Sequence, residues 1–225
     1  MIELKVANVK TLIVAIDGPS GAGKGTVARA VAARLGYRHI DSGAMYRAVA
    51  WKALLQGVAL DDEDAVAALA AASRIDVTAG VTIDEHDVTR AIRTPEIDRA
   101  AAAVARLPKV RAVLVERQRA LGGSGAIVME GRDIGTVVFP HADAKIYLDA
   151  SPEERARRRA SDPAHTGPTA VADVATQLTA RDELDRTRTA SPLYAAPDAD
   201  VIDTTGKPVE AVVREVLRIV HLRSL

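Results

Sequence analysis

The chain has 225 residues, 48% of them hydrophobic and 27% charged, and its acidic and Lys/Arg side chains are equal in number. That balance allows a sizeable core and excludes both a disordered polyelectrolyte and a generally basic nucleic-acid surface. Cysteine is absent, so disulfides, thiolate chemistry and Cys-based zinc sites are excluded, and no two of the five histidines stand at i, i+4 as a helical metal pair.

The start of the chain, Met1 to Lys5, has no basic region followed by an apolar stretch, and the most apolar run, 65–72, is too short to span a bilayer. The expectation is a soluble, cytoplasmic protein that engages neither membrane nor nucleic acid. No exposed heptad or large apolar face stands out, so a monomer is expected.

Residues 11–17 form a β-branched apolar run ending at Gly18, the pattern of a buried parallel strand. A helix is predicted over 26–35, with Gly36 as its stop, then a short strand over 37–40. Asp41 or Ser42 caps the next helix, from Ala44 to about Leu55. Residues 61–73 read as an Ala-rich helix, and 74–84 alternate around Ala79 and Gly80 as a small hairpin. Pro95 opens a helical tract to about Leu121, with a break expected at Pro108. Strands are predicted over 126–130, 144–148 and 200–203. Pro152 opens an Arg-rich helix, 161–169 reads as a flexible loop, and 171–187 and 208–221 read as helices. Strands alternating with helices predict an α/β fold: a five-stranded parallel sheet covered on both faces.

Between the first strand and first helix stand Gly18, Pro19, Ser20, Gly21, Ala22, Gly23, Lys24, Gly25 and Thr26. Glycines in that position let backbone N–H groups turn inward around phosphate oxygens, the helix N-terminus favours anions, and Lys24 reaches the β/γ oxygens. This is a P-loop. Gly25 intervenes where the hydroxyl residue normally follows the lysine, so Thr26 is placed to meet magnesium directly or through water.

The Gly-Lys-Gly-Thr end of this loop resembles the nucleoside monophosphate kinases. Residues 41–47, 92–94, 130–140 and 181–188, in order along the chain, are similar to the bacterial cytidylate kinase family in particular. The resemblance implies a core over about 1–60, 122–150 and 188–225, an NMP-binding insert over about 61–121 and a lid over about 151–187. It implies ATP and Mg²⁺ as cofactors and CMP or dCMP as acceptors. By resemblance, Arg47, Arg132 and Arg188 hold the acceptor phosphate, with Ser42, Tyr46 and Arg93 nearby. Asp133 and Arg111 read the cytosine edge, and Arg181 and Asp185 lie near the ribose. The lid arginines Arg158 and Arg159 close over the transferring phosphate, and Glu130 either orients magnesium water or bonds in the acceptor site.

The chemistry suits those residues. Arginine binds phosphate through a fork and stays charged in a closed site, and the chain has 23 Arg against 7 Lys. A carboxylate with a guanidinium matches the cytosine edge better than that of uracil. One position departs from the family: Ala102 stands where a serine commonly contacts the base, which leaves base choice open there. The spacing also admits plainer readings. Arg181 and Asp185 fit an i, i+4 surface ladder, and Glu153–Arg157 and Glu154–Arg158 fit the same rule, with Arg155 and Arg159 lacking acidic partners. Trp51 reads as core, and His39 as an isolated structural residue. The rival class is a nucleotide-dependent switch, but a GTPase would carry an Asn-Lys-x-Asp segment, which is absent.

Overall fold

The computed structural model of the chain describes residues 11–162 and 170–224. The N-terminal residues Met1 to Lys5, and all but the start of the loop expected over 161–169, lie outside the described residues. The elements in order are β1 (Ile13–Asp17), α1 (Lys24–Leu35), β2 (Arg38–Asp41), α2 (Ser42–Leu55), α3 (Glu63–Ala72), β3 (Ile75–Asp76), β4 (Thr82–Ile83), β5 (His86–Asp87), α4 (Pro95–Val104), α5 (Pro108–Gly122), β6 (Ile127–Gly131), β7 (Ala144–Asp149), α6 (Pro152–Ala160), α7 (Val171–Thr187), β8 (Asp200–Asp203) and α8 (Val209–Arg223).

The five predicted strands make one sheet in the order β2-β6-β1-β7-β8, and every neighbouring pair is parallel. Side chains alternate across β1. Val14 and Ile16 face a core built with α1 and α8, while Ala15 and the partly buried Ile13 face a second core shared with α2, α4 and α5. Burial on both faces is why the central strands β1 and β6 read as apolar runs. The C-terminal end of β1 lies between β6 and β7, the crevice where parallel sheets bind ligands.

Helix boundaries follow local chemistry. Gly36 ends α1 in the left-handed conformation. Asp41, rather than Ser42, caps α2, its carboxylate accepting from the Ala44 N–H at 3.1 Å. Pro108 divides the long helical tract, starting α5 after a three-residue interruption, because its ring cannot continue α4. The small hairpin gains a third strand that the sequence did not announce. Asp84 and Glu85 take φ of 47° and 71° and turn β4 into β5. Such a turn favours Gly or Asn. Here Asp84 is fixed by Lys52 Nζ at 2.5 Å and by the Arg74 N–H at 2.8 Å.

One further turn positions the site. After β6 the backbone forms a wide helical turn, Ile134–Val138. Its first two N–H groups donate to the buried carboxylate of Asp17, from Ile134 at 2.8 Å and Gly135 at 2.7 Å. Asp17 thereby ties the end of β1 to the segment that carries Arg132 and Asp133.

Candidate active site

A cleft of about 770 Å³ opens at the C-terminal edge of the sheet. Ser20 through Thr26 line it, but Gly18 and Pro19 do not. Those two build the loop from behind. A Cβ on Gly18 would stand 2.0 Å from the Leu148 carbonyl oxygen, so only glycine fits, and the Pro19 carbonyl accepts from Lys24 Nζ at 2.7 Å. Gly21, at φ +80°, packs against Arg155, where a Cβ would meet that residue's own Cβ at 2.9 Å.

Lys24 is buried, with 6% of its surface exposed. Burial, reinforced by the nearby charge of Arg132, pushes its ammonium pKa down to about 7. A cation held out of water beside another cation favours an anionic ligand. The whole cleft has that character: twelve Lys/Arg side chains line it against six carboxylates, an excess that polyanionic ligands would offset. Arg181 and Arg188 also line the cleft, and each carries a buried N–H without a hydrogen-bond partner among the described residues, Arg181 Nε and Arg188 Nη2. Burial pushes the Arg181 pKa down to about 10, with Arg132 adding to the effect, and burial followed by the charge of Arg111 also lowers that of Arg188.

Opposite the loop, Arg111 and Asp133 form a short, buried ion pair. Arg111 also donates to Ser191 Oγ at 3.2 Å and lies 5.5 Å over the Tyr46 ring. Burial pushes the Tyr46 hydroxyl up to about 12, which keeps it neutral. Arg132 Nε donates to Asp185 Oδ2 at 2.9 Å, and Arg188 lies 3.5 Å from Asp133 and 3.9 Å from Asp185. Burial alone would raise the Asp185 pKa, but Arg132, Arg181 and Arg188 hold it below the usual carboxylate range. Ser42 Oγ donates to the Glu130 carbonyl at 2.7 Å, and Arg93 meets Asp41 at 3.3 Å. Ser42, Tyr46, Arg47, Arg93, Arg111, Arg132, Asp133, Arg158, Arg159, Arg181, Asp185 and Arg188 all line this one cleft.

Several expectations change. Arg181 and Asp185 do not form a surface ladder: Arg181 donates to the Asp98 carbonyl at 3.0 Å, while Asp185 turns to Arg132 and Arg188. Arg188 follows directly on α7, which ends at Thr187, and is extended at its cap. Glu154, not Glu153, pairs with Arg157, at 2.9 Å, and also with Arg158, at 2.8 Å. Arg155 has no acidic partner within α6, as expected, and finds one on another helix. It is buried against Asp182 of α7 in a short ion pair, and both bind Ser20, whose carbonyl accepts from Arg155 at 3.0 Å and whose N–H donates to Asp182 at 3.3 Å. Arg159 likewise pairs with Asp98 and Asp162. Arg158 reaches the loop from behind, donating to the Thr204 carbonyl at 2.6 Å and the Ala22 carbonyl at 3.4 Å. His39 is not isolated, since its Nε2 lies 3.0 Å from Glu130 Oε1. Ala102 does not line the cleft. It faces a neighbouring cavity, and Ala101 and Ala105 line the cleft instead. Trp51 packs against the core as expected.

Sequence reasoning missed Asp17 and Asp98, which organise the site from behind, and Thr204, which lines the cleft and binds Arg158.

Magnesium can be tested against these residues. Thr26 is exposed to the cleft at the first turn of α1, and the Glu130 carboxylate lies against Gly25, 3.1 Å from where a Cβ would sit. Among the described residues no cluster of three or more His, Cys, Asp or Glu could hold a metal alone. A hydroxyl, a nearby carboxylate and substrate phosphates fit magnesium, which keeps most of its water and is seldom caged by protein.

No helix among the described residues is long and apolar enough to cross a membrane. A sequence model of the cytidylate kinase family matches residues 14–222. A cytidylate kinase of Pelotomaculum thermopropionicum is 49% identical over 213 residues, covering 91% of this chain and 93% of that one. One of Solibacter usitatus is 47% identical over 221 residues, covering 95% and 94%. Among solved structures, a shikimate kinase from Acinetobacter baumannii aligns with a TM-score of 0.51 at 15% identity, covering 95% of each chain. That last likeness concerns the fold alone.

Proposed function

The chain belongs to the cytidylate kinase family, and from that premise we propose that it transfers the γ-phosphoryl of Mg-ATP to CMP and dCMP, giving ADP and CDP or dCDP. The observation that carries this reading is that the phosphate loop and the buried Arg111–Asp133 pair line one cleft.

Phosphoryl transfer asks for positioning and charge neutralisation rather than a covalent intermediate. The loop N–H groups and Lys24 bind the donor phosphates, and the polyphosphate is the anion that the Lys24 site favours. Arg47, Arg132 and Arg188 bind the acceptor phosphate in line with the donor. Asp133 accepts from the cytosine N4 amino group while Arg111 donates to the acceptor atoms of the same edge. Uracil presents a carbonyl where cytosine presents the amino group, so Asp133 would face an acceptor and the pair discriminates against it. Arg181 and Asp185 hold the ribose, and Arg158 and Arg159 neutralise charge on the transferring group. Thr26 would hold magnesium and Glu130 would orient one of its waters; the ion supplies charge neutralisation to the β/γ oxygens. The acceptor is already an anionic phosphate, so no strong general base is needed. The protein acts on small nucleotides as a monomer in the cytoplasm.

A coupled ADP-release assay over CMP, dCMP, UMP, AMP and no acceptor tests this. Turnover should require CMP or dCMP. Equal rates with UMP and CMP would remove the base assignment, and acceptor-independent turnover would remove the kinase reading.

A further inference from the structure

Behind the cleft lies Asp98, in the first turn of α4. Three arginines from three other helices converge on it. Arg47 of α2 donates through Nε to Oδ1 at 3.0 Å, Arg159 of α6 makes a short pair with Oδ2, and Arg181 of α7 donates to the Asp98 carbonyl at 3.0 Å and lies 3.8 Å from Oδ1. All three arginines line the cleft, but Asp98 does not. It lines the neighbouring cavity of about 460 Å³, which lies between α4 and the α6–α7 pair and whose walls include Ala102, Val174 and Leu178. Arg159 and Arg181 border both spaces, so the carboxylate binds these guanidinium groups from outside the cleft. Burial alone would raise its pKa, but Arg47, Arg159 and Arg181 hold it below the usual range, so it is an anion at neutral pH.

We propose that Asp98 is a positioning residue that joins the acceptor half of the site to the lid: one carboxylate fixes Arg47, which faces the acceptor phosphate, and Arg159, which faces the transferring group. The inference rests on the kinase reading above. Its physical basis is the geometry of the fork. Arg47 is held by Nε, leaving both terminal nitrogens for an anion. Asp98 holds Arg159 by Nη2, while Nη1 lies 3.6 Å from Asp162, which stops a long side chain from sampling other rotamers. A single negative charge among three positive ones also relieves their mutual repulsion while leaving the cluster strongly cationic. Because the Asp98–Arg159 pair spans α4 and α6, binding at the acceptor side and placement of the lid arginine are one event.

The test measures CMP affinity by titration calorimetry without ATP, so Arg159 has no transferring phosphate to meet. Asp98→Asn keeps the shape and removes the charge, and Asp98→Glu keeps the charge and changes the length, which the adjacent cavity accommodates. Asp98→Asn should weaken CMP binding about tenfold or more, the scale for a hydrogen-bonded ion pair, with ATP affinity within about twofold of wild type. Asp98→Glu should recover most of the loss. Arg159→Gln, a lid substitution, should also weaken CMP binding, by about fivefold on the same scale. Should Asp98→Asn fail to fold, Asp98→Glu and Arg159→Gln decide the matter alone. CMP binding unchanged by Arg159→Gln overturns the proposal, as does a Glu variant as weak as Asn or an Asn variant as tight as wild type. If the wild-type protein binds no nucleoside monophosphate, the kinase reading fails and this one with it, a result distinct from failure of the variants alone.

Discussion

Replacing Lys24 with Met should make the unliganded protein more stable while abolishing turnover. The buried ammonium binds its proton with a pKa of about 7, against 10.5 in an unhindered lysine. Between those values the unfolded chain binds more protons than the native one, so stability rises with pH across that window. At roughly 1.4 kcal/mol per pH unit, the gap makes Lys24 destabilising by at most about 4 kcal/mol at pH 7. Methionine keeps the unbranched stem but loses the 2.7 Å bond to the Pro19 carbonyl, which offsets about 1 kcal/mol. The net gain of about 2–3 kcal/mol corresponds to roughly 5–10 °C in Tm for a chain of this size. Differential scanning calorimetry of both proteins at pH 7 and pH 10 reads it directly. The gain should be large at pH 7 and nearly gone at pH 10. A variant melting at or below wild type at pH 7, or a gain unchanged at pH 10, would refute the reasoning.

Two other substitutions probe opposite ends of the site. Asp133→Ala should raise the KM for CMP by about 100-fold with little change for ATP, since a lost contact to a substrate amino group is worth about 2–3 kcal/mol. Equal losses for both substrates in steady-state kinetics would point to a general structural role. Asp182→Ala leaves the buried guanidinium of Arg155 unpaired and should cost about 3–5 kcal/mol of stability. Chemical denaturation reads that loss, and a variant as stable as wild type would show that the pair does not anchor α6 to α7.

What the sequence made readable was local. The phosphate loop, the short sheet strands, the Gly36 stop and the break at Pro108 each have a signature a few residues long. The missing features are long-range. Asp98 meets Arg47 across 51 positions and Arg159 across 61, and Asp17 meets Gly135 across 118. An acidic residue in the first turn of a helix is already explained by the helix dipole, so Asp98 gave no reason to look further. Arg155 and Arg181 were misread for the same cause: the i, i+4 rule ranks neighbours on one helix, whereas Asp182 and Asp98 on other elements bind those guanidinium groups; Arg157 instead turns to Glu154, one residue nearer on its own helix than the rule expects. The β4–β5 turn was hidden because Glu85 has no special tolerance for positive φ; Asp84's own partners hold the turn.

The Arg155–Asp182 pair bound to Ser20 has a mechanical consequence. It sets a fulcrum. With the fourth residue of α6 fixed to the phosphate loop, that helix can tilt but cannot slide. Arg159 sits about 6 Å farther along the axis, so a tilt of roughly 10° moves it by about 1 Å. α6 is therefore a short lever and not a flap. A displacement of that size is about the difference between a made and an unmade hydrogen bond, and Asp182→Ala, which frees the fulcrum, is the variant in which it would grow.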